Sequence, residues 1–107
     1  MYKLCFYVPE TYLEPVKKAV FEKGAGKIGD YACCAWQTLG EGQFRPLQGS
    51  QPFIGQQGQI ETVKEYKVEM VCEDHLIKEV VAALKLAHPY EEPAYDVWKL
   101  SDIESIH

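Results

Sequence analysis

The stretch from Tyr66 to Leu100, YKVEMVCEDHLIKEVVAALKLAHPYEEPAYDVWKL, decides the fold. Tyr66, Val68, Met70 and Cys72 alternate with Lys67 and Glu69, the period-two pattern of a half-buried strand. Asp74 stands where a helix N-cap belongs. Leu76, Val80, Ala83, Leu84 and Ala87 then recur at helical spacing and form the strongest apolar stripe in the chain. The run His88–Pro93 (HPYEEP) ends that helix, because proline removes a backbone donor and fixes its own φ. Ala94 to Leu100 reads as a closing strand, which completes one strand–helix–strand unit.

A second unit lies toward the N-terminus. Leu4–Val8 is a short apolar run bounded by Pro9 and reads as a strand. Thr11 with Glu14 suits a capping box. Leu13, Val16 and Val20, with Ala19 beside them, make a helical stripe in which Pro15 is tolerable only near the first turn. Gly24 stops this helix, and Tyr31–Thr38 is expected to be the second strand. The two units rhyme at an offset of 63: Val8 with Val71, Glu10 with Glu73, Leu13 with Leu76, Ala19 with Ala82. Between them, Leu39–Thr62 carries five Gly and two Pro and is expected to be a long connection. Connections of that length in compact domains are often functional.

The order predicts a single α+β domain over residues 1–107, a ferredoxin-like βαββαβ fold. A four-stranded antiparallel sheet would carry two helices on one face, with right-handed crossovers. The helices cover only that face. Yet LCFYV is apolar on both sides, and Tyr31–Trp36 offers Ala32, Cys34 and Trp36 on one side with Tyr31, Cys33 and Ala35 on the other. Such strands imply a covered second face, and another copy of the chain is the expected cover.

Composition narrows the partners. A net charge of −5 and a pI near 5.1 argue against a phosphate-neutralising surface, so neither nucleic acid nor an anionic membrane is expected. MYKLCFYVPE has none of the features of a signal peptide, no apolar run approaches the ~20 residues that span a bilayer, and the expected location is cytoplasmic. Cys5, Cys33, Cys34 and Cys72 show no CxxC spacing and read as small core residues, with Cys33 and Cys34 pointing to opposite faces of a strand.

Three runs carry possible chemistry. Gly24–Gly29 (GAGKIG) matches GxGxxG but follows a helix and precedes a strand, the reverse of the dinucleotide arrangement, so it reads as a capping turn. In Gly40–Pro46 (GEGQFRP), Gly42 permits a close backbone approach and Arg45 suits a carboxylate or phosphate. The bland alternative has Phe44 plugging the core and Arg45 paired with an internal acid. His88–Asp96 (HPYEEPAYD) holds one imidazole, three carboxylates and two phenols on a backbone stiffened by two prolines. His88 and Glu91 are candidate ligands for a divalent metal ion, with the site completed from elsewhere. Tyr90, Glu92 and Tyr95, with Gly42, Phe44 and Arg45, are candidate ligand-binding residues. The alternative is a helix-ending turn with His88 against the last carbonyls. No Ser-His-Asp or Cys-His pair is suggested among His75, His88 and His107, so no catalytic residue is assigned and the chain is read as a non-enzyme.

GAGKIGDY, GEGQFRP and HPYEEPAYD, in this order and spacing, resemble the domain inserted in the Nif-three-like dinuclear-metal-centre proteins. HPYE (His88–Glu91) is also similar to a run in CutA, the divalent-cation-tolerance protein. The resemblance implies a stand-alone version of that insert with a PII/CutA-like fold, whose trimers bury sheet faces against one another. In full-length members a separate, larger domain carries the dinuclear site, built from several His and acidic ligands. This chain has three histidines, too few for that site, so the hydrolase-like or GTP-cyclohydrolase-like activities are not transferred. The expectation is a binding or regulatory module, a homotrimer taking an unidentified small ligand or metal at subunit interfaces. A structural oligomerisation domain and an unrecognised enzyme are the alternatives.

Overall fold

The computed structural model describes residues 1–105; His107, counted above among the histidines, lies outside the described residues. Four strands, β1 (Tyr2–Pro9), β2 (Trp36–Phe44), β3 (Glu61–Cys72) and β4 (Tyr95–Lys99), form one antiparallel sheet in the order β2-β3-β1-β4. Two helices, α1 (Leu13–Glu22) and α2 (Ile77–Ala87), follow β1 and β3. This is the ferredoxin-like βαββαβ arrangement that the alternating strand and the two stripes predict.

The core lies between sheet and helices. Leu4, Phe6 and Val8 of β1 pair with Met70, Val68 and Tyr66 of β3, and all six point toward the helices. Val16 and Val20 of α1 and Val80 and Leu84 of α2 close over them, each fully buried. Full burial of side chains of this size stabilises the fold by about 1.5–3 kcal/mol each.

Both helices are entered in the same way, and neither uses the expected cap. The chain leaves β1 through Pro9 (φ −62°, ψ 148°) into a 3-10 turn at Glu10–Tyr12. It leaves β3 through Glu73 (φ −63°, ψ 148°) into a 3-10 turn at Asp74–Leu76. Thr11 and Asp74 therefore sit inside these turns rather than at α-helix N-caps, and neither helix start has a side-chain cap. Pro15 becomes the third residue of α1, where its missing N–H costs nothing. Asp74 is instead drawn to the N-terminal amine and to Lys99, which lowers its pKa to about 2. The matched geometry pairs Pro9 with Glu73 and Val16 with Val80, so the structural repeat has an offset of 64; the rhyme at 63 is out by one residue.

The second strand is displaced from its expected place. Residues 31–35 are not strand: Ile28 and Tyr31 form an isolated bridge and Cys33 adopts φ 59°. Gly26, at φ 78°, donates its N–H to the Val71 carbonyl and accepts the Cys34 N–H, so the chain is turned there before it joins the sheet. The strand then runs on through Gly40 and Gly42 because β3 supplies a regular partner down to Glu61. The connection shrinks to residues 45–60. Cys33 is exposed, Cys34 half-buried, and Cys5 and Cys72 are the buried thiols, both pushed up in pKa mainly by burial; of these only Cys72 joins the core beneath the helices.

The outer face of the sheet is also less apolar than expected. Cys5 is buried there, but cross-strand rows place it beside Glu69 and Asp96, and place Tyr7 beside Lys67. Lys3 lies 3.9 Å from Glu69, while Trp36 and Trp98, 68% and 49% exposed, stand at the two edges. No helix among the described residues is long and apolar enough to cross a membrane.

Candidate functional site

The strands β2 and β3 outrun β1. Pro9 opposite Glu65 is the last β1 pair, whereas Glu41–Phe44 continue opposite Glu61–Lys64 as a two-stranded ribbon. The connection 45–60 folds back from the ribbon's end toward the turn after α2, and a cavity of about 410 Å³ opens between them. Phe44, Phe53 and Tyr90 supply aromatic walls, with ring centroids 6.0 Å apart for Phe44–Tyr90 and 6.4 Å for Phe53–Tyr90. Tyr12 buttresses Phe53 edge-on at 5.6 Å. A direct tether joins loop to turn: the Gln51 N–H donates to Glu91 Oε1 at 3.3 Å.

His88 sets the position of Tyr90. It is 5% exposed; Nε2 donates to the Tyr7 carbonyl at 2.7 Å, and Nδ1 accepts the Tyr90 N–H at 3.1 Å. These partners fix the neutral Nε2–H tautomer, and burial lowers the pKa. Both ring nitrogens are thereby used within the chain. Glu91 is exposed and engaged with the loop, and no group of three or more His, Cys, Asp or Glu side chains that could hold a metal is present among the described residues. Within one chain, then, His88 and Glu91 do not make up a divalent-cation site.

Of the expected ligand-binding residues, Phe44, Arg45, Tyr90 and Glu92 line the cleft, as does Glu91. Arg45 is exposed and makes no ion pair among the described residues, and Phe44 faces the cleft rather than plugging the core. Gly42 acts at one remove: the Glu65 carboxylate lies so close to its Cα that a Cβ there has no room. Tyr95 is not part of this group. It packs against the core, with Lys85 Nζ 5.5 Å from its ring centroid.

The residue that sequence reasoning missed is Glu65. It lies in β3 opposite Gly40 and Pro9, lines the cleft, and is half-buried with no ion pair or hydrogen bond among the described residues. Burial alone raises its pKa. The Tyr90 hydroxyl is buried without a hydrogen-bond partner among the described residues, and its pKa is raised by burial and then by the Glu65 charge. In sequence, Glu65 looks like any outward polar residue of an alternating strand. Phe53, in the Gly- and Pro-rich connection, is a second cleft residue that sequence reasoning missed.

No family model matches the chain. Among curated proteins it is similar to the GTP cyclohydrolase 1 type 2 homologs of Halalkalibacterium halodurans (44% identity over 102 residues, 95% of this chain and 27% of that protein) and Mycobacterium tuberculosis (49% over 98 residues, 92% and 26%). The chain thus spans about a quarter of the length of the curated relatives it matches. Among solved structures, a Bacillus cereus protein related to NIF3 superposes with a TM-score of 0.81 at 40% identity, over 94% of this chain and 26% of that one. The divalent cation tolerance protein CutA of Archaeoglobus fulgidus superposes with a TM-score of 0.67 at 18% identity, over 95% and 86%, which speaks to the fold alone. By sequence the chain is a homologue of one quarter-length stretch of the NIF3-related proteins, and its fold is the ferredoxin-like fold that CutA shares.

Proposed function

We propose that this domain is a non-enzymatic binding module whose ligand is a small molecule held in the cleft between the β2–β3 connection and the turn after α2. The carrying observation is convergence: the GEGQFRP and HPYEEP runs, far apart in sequence, supply facing walls of one apolar cleft. A cleft of about 410 Å³ with a few polar groups at its edges has the dimensions of small-molecule sites. Arg45 stands at the exposed rim of the cleft without an ion pair among the described residues. The GTP cyclohydrolase label belongs to relatives about four times longer, and we do not carry that activity to this chain.

We further propose a cytoplasmic homo-oligomer, a trimer by the family resemblance. Its support is the outer sheet face, where Trp36 and Trp98 are left exposed beside a buried Cys5. Native mass spectrometry of the purified protein, with panels of small anions, amines, nucleotides and divalent cations, tests both parts. A multimeric mass with at least one retained small molecule is expected. A monomer that retains nothing at high micromolar concentration overturns the proposal.

A further inference from the structure

The aromatic walls of the cleft do not account for its charge. Glu65, Glu91 and Glu92 line it against a single guanidinium, Arg45, so an anion entering it meets an excess of like charge. Glu91 and Glu92 are exposed, whereas Glu65 is half-buried and has no cationic partner among the described residues. A carboxylate in that position carries a desolvation cost that no cation or hydrogen-bond donor among the described residues offsets. The neighbouring Tyr90 hydroxyl is likewise buried and unpartnered.

We propose that the cleft binds an organic cation, an alkylated or aromatic amine, with its charge against Glu65 and the rings of Tyr90 and Phe44 and its apolar part against the loop. The inference rests on the small-molecule reading above and names the ligand class. A carboxylate beside clustered aromatic rings is the chemistry that recognises ammonium groups, since ring faces attract cations and tolerate their alkyl substituents. An inorganic divalent ion fits less well: it requires several oxygen ligands, and the walls here are Phe44, Phe53 and Tyr90. Gly42 has a defined part in this site. Its missing Cβ leaves the space that the Glu65 carboxylate occupies.

The test uses isothermal titration calorimetry on the full chain with three probes: choline, its carbon isostere in which a quaternary carbon replaces the nitrogen, and benzoate. Choline is expected to bind at least about tenfold more tightly than the uncharged isostere. Glu65→Gln should abolish that preference and leave the isostere's affinity unchanged. Equal binding of choline and isostere overturns the cation assignment while the cleft stands. Preferential binding of benzoate, lost in Arg45→Ala, also overturns it and supports an anion site at the rim. Absence of binding by all three removes the cleft reading together with this inference. Should Glu65→Gln fail to fold, the choline–isostere comparison on the unaltered chain still decides the matter.

Discussion

Replacing Tyr90 with Phe deletes one atom whose environment is known. The ring packs against His88, Phe44 and Phe53, and its backbone N–H binds His88 Nδ1, so these contacts survive the substitution. Only the hydroxyl is lost, a buried group with no hydrogen-bond partner among the described residues. Burying such a group unsatisfied costs about 1–3 kcal/mol. A few tenths are returned as lost van der Waals contact where the oxygen stood. Tyr90→Phe is therefore expected to stabilise the fold by about 1 kcal/mol, roughly 4 °C in melting temperature for a domain of this size. Urea unfolding should show a higher midpoint at unchanged slope. A ligand that accepts the Tyr90 hydrogen bond would bind the variant more weakly, so stability and binding should move in opposite directions. A variant less stable by about 1 kcal/mol refutes the reasoning, because it shows that the hydroxyl is satisfied in the folded protein.

Three further outcomes follow from the geometry. Gly26→Ala places a Cβ 2.8 Å from the Cys34 carbonyl oxygen at φ 78°, and a loss of about 2–4 kcal/mol in thermal or urea unfolding is expected. Gly42→Ala displaces a movable carboxylate rather than backbone; stability should change by less than about 1 kcal/mol, while calorimetry should show cleft binding lost. His88 is held neutral by burial, so its folded pKa lies below the ordinary 6.5 and the unfolded chain takes up the proton first as pH falls. The stability it contributes is complete above pH 6.5 and is lost as the pH falls from there to the folded value, with a slope of up to about 1.4 kcal/mol per pH unit. Urea unfolding across pH 5–8 should show that slope, and His88→Gln should flatten it.

How far the sequence reveals this protein depends on which force acts on each residue. The alternation of Tyr66–Cys72 and the stripe Val80–Leu84–Ala87 are legible because one face of each element is buried and the other is not. The second strand is illegible for the opposite reason. Trp36–Gly40 is exposed throughout at a sheet edge, so no hydrophobic period marks it, and two glycines look like loop where the backbone is simply paired to β3. Thr11 and Asp74 carry good capping side chains, but the 3-10 entries put the α-helix starts elsewhere. In the cleft, the motif runs point to Phe44, Arg45, Tyr90, Glu91 and Glu92, since a rigid, side-chain-rich turn and a Gly-flanked Arg are local patterns. Glu65 is invisible because the cleft it lines is formed with residues 45–54 and the turn after α2, both distant from it in sequence, a non-local event. Tyr95 was grouped with the motif by proximity in sequence, yet strand alternation turns it to the core.

The ribbon Glu41–Phe44 with Glu61–Lys64 has consequences for motion. Two strands without a third neighbour are marginal by themselves, and this pair bears the loop that roofs the cleft, fastened to the α2 turn by the Gln51–Glu91 hydrogen bond. Amides of β1, flanked by β3 and β4, should exchange with solvent only on global unfolding, whereas those of the ribbon should exchange through local opening. The roof is thus hinged on the least cooperative part of the sheet, and an occupant that bridges it to Tyr90 would register first as slowed exchange there, with the rest of the domain unchanged.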